Sequence, residues 1–136
     1  MTNPDSPFKK TALKGMRALI CGASRGIGRA AVKAFADAGA SVIACSRDEV
    51  ALKQLVDALP GTGHQAVAMD LEKLEVIETL ITKILEDGPI HILVNNAAGP
   101  PGGPLLDNEI EDFEAPFKRH LYAAHTITRL LAPGME

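Results

Sequence analysis

Short apolar runs alternate with longer segments in which apolar residues return every third or fourth position, and this pairing recurs four times along the chain. Ala18-Leu19-Ile20-Cys21 reads as a buried strand, and Ile27, Ala30, Ala31, Ala34, Phe35 and Ala38 read as one helix face. Gly39 stands where a helix C-cap belongs, and Ser41-Val42-Ile43-Ala44-Cys45 follows as a second strand. Leu52, Leu55, Val56 and Leu59 mark a second helix that Pro60-Gly61 stops. His64 to Met69 makes a third strand, and Leu74, Ile77, Ile81, Ile84 and Leu85 line a third helix ended by Gly88-Pro89. Ile90 to Val94 is the fourth strand. The last helical pattern starts at Asp107 or Asn108 as cap and runs through Ile110, Phe113, Phe117, Leu121, Ala124, Thr128 and Leu131. Pro116 lies inside it and predicts a kink or a fresh start. Strand-helix units joined by short connections require a parallel sheet with right-handed crossovers and helices on both faces, an α/β, doubly wound, three-layer αβα fold.

With 136 residues, 46% of them hydrophobic, the chain suffices for one core and shows no internal boundary. Residues 1–12 are expected to form a flexible N-terminal tail and residues 13–136 a single domain. The net charge of −3, with no basic run longer than Lys9-Lys10, argues against nucleic acid or an anionic membrane as partner. The start MTNPDSPFKK lacks the apolar stretch of a signal peptide, and no apolar run approaches the roughly 20 residues of a bilayer span. A cytoplasmic location is therefore expected. Cys21 and Cys45 each end an apolar segment and read as reduced, buried thiols. His64, His91, His120 and His125 show no ligand spacing with them, so no metal is expected.

The stretch Cys21-Gly22-Ala23-Ser24-Arg25-Gly26-Ile27-Gly28 joins the first strand to the first helix. Glycine is common in turns, and Gly-x-x-x-Gly-x-Gly is not the Gly-x-Gly-x-x-Gly dinucleotide spacing. Position gives the loop its meaning. Directly after a strand and opening a helix, glycines permit a tight turn, close backbone approach to a pyrophosphate, and close helix-strand packing. Amides of the first helical turn then face the anion, where the macrodipole favours negative charge. Gly22, Ser24, Arg25, Gly26, Ile27 and Gly28 are the candidate phosphate-binding residues.

Here the chain resembles the short-chain dehydrogenase/reductase family, whose first signature is Thr-Gly-x-x-x-Gly-x-Gly, with Cys21 in the threonine's place. The family carries Asn-Asn-Ala-Gly at the end of the fourth strand, and Asn95-Asn96-Ala97-Ala98-Gly99 has that motif with one extra alanine. An aspartate closing the third strand, near the adenine, is typical as well; Asp70 follows Val67-Ala68-Met69, with Leu71 beside it. The resemblance covers about residues 14 to 133 and implies a Rossmann-type nucleotide-binding domain, here truncated after the fourth strand and fourth helix. Asp70 also suits a helix cap, and Asn95 and Asn96 also suit the satisfaction of backbone groups at a strand end.

Dinucleotide folds that prefer NAD place an acid about 20 residues beyond the glycine loop, against the ribose 2′-hydroxyl, whereas a nearby arginine accommodates a 2′-phosphate. Ser46 occupies that place, Arg47 follows it, and Arg25 adds a second cation. Asp48 beside Glu49 suits a helix start. The expected cofactor is NADP(H).

In the family, hydride transfer needs a Ser, a Tyr and a Lys, the last two as Tyr-x-x-x-Lys. Tyr122 has Thr126 four residues on, and no serine or lysine follows Lys118, so no catalytic trio is expected in this chain. Many members place an asparagine on the fourth helix, in a water chain to the lysine. His120 stands at the matching place, as a proton relay or as a buried or half-buried packing residue. The turn-rich Gly99-Pro100-Pro101-Gly102-Gly103-Pro104 is either a connector or a substrate-side loop.

The resemblance implies an NADP-dependent oxidoreductase reducing a carbonyl or oxidising a secondary alcohol, with 3-oxoacyl thioesters the commonest class. This chain would hold the cofactor-binding half only, inactive alone, in a parent that forms a dimer or tetramer. Its fourth strand, normally central, would lie at an edge, with apolar surface bared. The rival reading is a non-catalytic nucleotide-binding or interaction module.

Overall fold

The computed structural model describes residues 9–100 and 102–135. Four strands, β1 (Arg17–Ile20), β2 (Ser41–Ser46), β3 (Gln65–Ala68) and β4 (Ile92–Val94), form one parallel sheet in the order β3-β2-β1-β4. Helices α1 (Gly26–Asp37), α2 (Glu49–Asp57) and α3 (Leu74–Glu86) are the crossovers between them. After β4 come two 3-10 turns (Leu105–Asp107 and Ile110–Phe113) and a short α4 (Glu114–Phe117). A π-helical stretch, Lys118–Tyr122, leads into α5 (Ala123–Leu131).

The strands are apolar on both faces because helices cover both. Ala18, Ile20, Val42 and Ala44 pack with Val32 and Ala36 of α1 and Leu52 and Leu55 of α2. Leu19 and Ile43, with Cys21 and Cys45, pack instead with Ile77, Ile81 and Ile84 of α3 and Ile127 and Leu131 of α5. Alternation along each strand thus feeds two separate cores. In β1 and β2 these side chains are almost fully removed from water, and each such Leu or Ile contributes about 1.5–3 kcal/mol.

Two histidines close the ladder where side chains replace carbonyls. His64 Nδ1 accepts the Val42 N–H at 3.1 Å, and its Nε2 donates to the Pro60 carbonyl at 2.8 Å. Only the neutral ring protonated on Nε2 satisfies both. His91 Nδ1 likewise accepts the Arg17 N–H at 2.9 Å.

Several expectations are corrected. The buried face of α1 is Gly28, Val32 and Ala36, while Ile27 and Ala30 are exposed. Gly28 must face the sheet, because a Cβ there would lie 2.2 Å from the Gly22 carbonyl oxygen, and this contact sets the helix rotation. The last helical pattern is not one helix. Ile110, Phe117 and Leu121 are exposed, and the buried residues are Ala123, Thr126, Ile127 and Leu131. Neither Asp107 nor Asn108 caps it: Glu109 does, exchanging side-chain and backbone bonds with Asp112. Pro116 falls in the first turn of α4, where a missing N–H removes no helical bond, so the fresh start prevails over a kink.

Of the expected tail, residues 1–8 lie outside the described residues, whereas Lys9 to Lys14 form bonded turns. Leu13 N–H donates to the Ala38 carbonyl at 2.8 Å, docking this segment on the α1-β2 connection. No helix among the described residues is long and apolar enough to cross a membrane. β4 lies at the sheet edge.

Candidate functional site: a groove across the strand ends

A groove of about 600 Å³ crosses the carboxyl ends of the strands, lined by the segments that follow β1, β2, β3 and β4. The glycine loop forms one wall. Gly22 takes φ +62°, and a Cβ on it would lie 2.5 Å from Asn96 Nδ2 and 2.8 Å from the Asn96 carbonyl oxygen. Gly28 packs beneath on Gly22 itself. Gly26, at φ +55°, has nothing within 4 Å of where a Cβ would stand, so the backbone there fronts open space. Two of the three glycines therefore lock the loop together, and the third leaves room.

The helix start faces that room uncapped. Arg25 is the N-cap of α1 and its side chain makes no capping bond, so the first-turn amides have no intrahelical or capping partner. A twelve-residue helix with its N-terminus open on a groove presents unpaired amides and the positive end of the helix dipole, which favour a negative charge there. Ser24, Arg25, Gly26 and Ile27 line it, and Ile27 is 78% exposed there.

The end of β2 supplies the next part. Ser46 and Arg47 line the groove, Arg47 exposed like Arg25. Asp48 caps α2, its Oδ1 accepting the Ala51 N–H at 2.9 Å, and its own N–H donates to Ser46 Oγ at 3.2 Å. Asp70 and Leu71, after β3, line the groove too. Asp70 Oδ1 accepts the Glu72 N–H at 3.0 Å, bracing the turn, while Lys73 holds the N-cap position of α3.

Asn96 ties β4 to the glycine loop, with Nδ2 donating to the carbonyls of Cys21 at 3.3 Å and Gly22 at 3.4 Å. Asn95 Nδ2 donates to Thr128 Oγ1 at 3.2 Å, anchoring the same turn to α5. Asn96, Ala97 and Ala98 line the groove. Gly99 does not: the chain has left the strand ends by then, and it is exposed. His120 is exposed, not buried or half-buried packing, and its Nε2 sits 3.0 Å from the Ala98 carbonyl oxygen. Tyr122 is 49% exposed in the π stretch.

Four lining residues fall outside the sequence-based set: Cys45, Asp48, Met69 and Arg119. Cys45 and Met69 form its buried floor. Arg119 Nη1 is 3.8 Å from Glu72 Oε2, and its Nε is buried without a partner among the described residues. Cys21 and Cys45 are free thiols. Burial pushes the Cys21 thiol up to about 12; burial, then the neighbouring Cys21, push Cys45 well above the ordinary thiol value. Neither is a nucleophile at neutral pH. Among the described residues no group of three or more His, Cys, Asp or Glu side chains could hold a metal ion.

Residues 16–136 match the family described as short chain dehydrogenase. A short chain dehydrogenase of Pseudocercospora fijiensis is 40% identical over 90% of this chain and 41% of that protein. L-xylulose reductase of Mesocricetus auratus is 39% identical over 90% of this chain and 48% of its own length. The chain thus spans about half the length of the curated relatives it matches. Among solved structures, L-sorbose reductase from Gluconobacter frateurii complexed with NADPH and L-sorbose superposes with a TM-score of 0.85 at 27% identity, covering 93% of this chain and 50% of that one. With the four-stranded parallel sheet, the interlocked glycine loop and a profile match over most of its length, the chain belongs to the short-chain dehydrogenase family.

Proposed function

We propose that residues 13–136 form an NADP(H)-binding unit, the cofactor-binding part of an oxidoreductase that interconverts a carbonyl and a secondary alcohol. The observation that carries this reading is the uncapped start of α1, opened onto the groove by the Gly22-Gly28-Asn96 interlock, with Arg25 and Arg47 at its rim. The residues present fit a dinucleotide: Gly26 leaves space where any side chain would fill the cradle.

Amides of the glycine loop and α1, with Ser24, would hold the pyrophosphate. Ser46, Arg47 and Arg25 would receive the 2′-phosphate, Arg47 by the paired N–H geometry suited to phosphate oxygens. Asp70 and Leu71 would face the adenine, and Asn96 to Ala98 would hold the other end. When bound, the nicotinamide supplies the hydride. This chain's own residues bind and orient; its sequence contains no Tyr-x-x-x-Lys pair to give the carbonyl oxygen a proton, and the chain alone is proposed to be inactive. His120 acts here on the Ala98 carbonyl, and we assign it to holding that loop, with proton relay dependent on a lysine elsewhere. The substrate is a small carbonyl compound or alcohol, a class that includes the sugars for which the two reductases above are named. The working assembly is a homodimer or homotetramer in the cytoplasm.

Fluorescence titration tests the cofactor. NADPH is expected to bind more tightly than NADH, and Arg47→Ala to weaken NADPH about tenfold, the worth of one charge-assisted contact, with NADH unchanged. Equal affinities for the two cofactors, or an unaltered NADPH affinity in Arg47→Ala, would reject NADP preference. The rival reading, a non-catalytic binding module, predicts the same binding and is separated by assaying the longest natural product of the gene for carbonyl reduction.

A further inference from the structure

The groove's two walls come from opposite layers of the fold. The glycine loop belongs to the layer of α1 and α2, whereas Arg119 rises from the π stretch that enters α5, in the layer of α3. Arg119 lines both the groove and a small adjoining cavity, where Leu71 and Asn96 are its neighbours. Its head group is weakly committed. The 3.8 Å separation from Glu72 is an ion pair too long for a hydrogen bond, and the buried Nε is unsatisfied among the described residues. A buried donor left unpaired is unfavourable, and a single long ion pair does not lock a side chain with this much rotamer freedom. A ligand oxygen in the groove would give the guanidinium a better partner than Glu72.

We propose that Arg119 is a further specificity-determining contact of the groove, turning from Glu72 to bind the adenosine 5′-phosphate portion of the dinucleotide. Its ion-pair partner Glu72 marks the end concerned, with Asn96 at the border of the other. Leu71 and Glu72 belong to the turn after β3, the strand paired with β2, whose end carries Ser46 and Arg47. The inference rests on the dinucleotide reading above but is independent of the 2′-phosphate.

Calorimetric titration of this chain with ADP, 2′-phospho-ADP and nicotinamide mononucleotide tests it. Arg119→Met is expected to weaken ADP and 2′-phospho-ADP by the same factor, about tenfold, and to leave the mononucleotide unchanged. Arg47→Ala, by contrast, should weaken 2′-phospho-ADP alone. Glu72→Gln keeps the arginine and loosens its partner, so it should bind ADP severalfold more tightly; it carries the test if Arg119→Met loses its fold by circular dichroism. Wild-type ADP affinity in Arg119→Met, a loss confined to the mononucleotide, or unchanged or weaker ADP binding in Glu72→Gln would each overturn the assignment. Failure of the unsubstituted chain to bind any of the three ligands would instead reject the dinucleotide reading itself.

Discussion

Cys21 and Cys45 sit side by side beneath the groove, each 1% exposed, and their thiols are held protonated by burial. The unfolded chain releases these protons near pH 9, while the folded chain keeps them to much higher pH, about 12 for Cys21. Above pH 9 the unfolded state therefore binds fewer protons, and stability falls as pH rises, by up to about 1.4 kcal/mol per pH unit for each thiol. Urea unfolding between pH 8 and 11 should show this slope, and Cys45→Ala should flatten it; an identical slope in that variant would refute the account. Burial of the two thiols was legible from their apolar flanks. Arg25, Arg47 and Asp70 were legible because each stands at a fixed distance past a strand end, and the structure brings all three to one groove. Arg119 was not legible, because its place follows from helical geometry that its neighbours in sequence do not announce.

The first helix shows how an element is aimed. Periodicity over its alanines and Ile27 suggested one face, but hydrophobicity cannot register a glycine, and Gly28 is the residue that docks. Gly28→Ala would drive a Cβ into the Gly22 backbone and should cost about 1–3 kcal/mol of stability together with nucleotide binding. Gly26→Ala meets open space and bears only the positive-φ penalty, about 1–2 kcal/mol, with less effect on the fold than on the ligand. Denaturant midpoints for the two variants check this, and a Gly28→Ala protein as stable as wild type would contradict it. In the last segment one amphipathic pattern with a kink or a fresh start at Pro116 was expected; the chain instead begins α4 at Glu114, with Pro116 in its first turn, and passes through a π stretch. There, Arg119 reaches the groove and His120 reaches the Ala98 carbonyl from consecutive positions. Exposed Phe117 and Leu121 carry an apolar period that nothing among the described residues covers, which is why the pattern misled.

At the scale of the molecule, the four-fold alternation in the sequence was sufficient for the parallel, two-faced sheet, since short crossovers admit little else. The strand order is not evident from periodicity, which does not register that β1 pairs with both β2 and β4. β1-α1-β2 is one compact unit that closes a far shorter loop than the β1-β4 pairing, and loop-closure entropy favours forming it first. Folding kinetics of Ile43→Val should accordingly give a φ-value well above that of Leu93→Ala; the reverse order would show that β4 docks early. The unit carries the glycine loop and ends at Ser46, just before Arg47. The segment proposed to grip phosphate is thus also the segment expected to start folding, so a substitution in that loop can alter how quickly the chain escapes its unfolded ensemble, and a change in yield from such a variant is not by itself a measure of affinity.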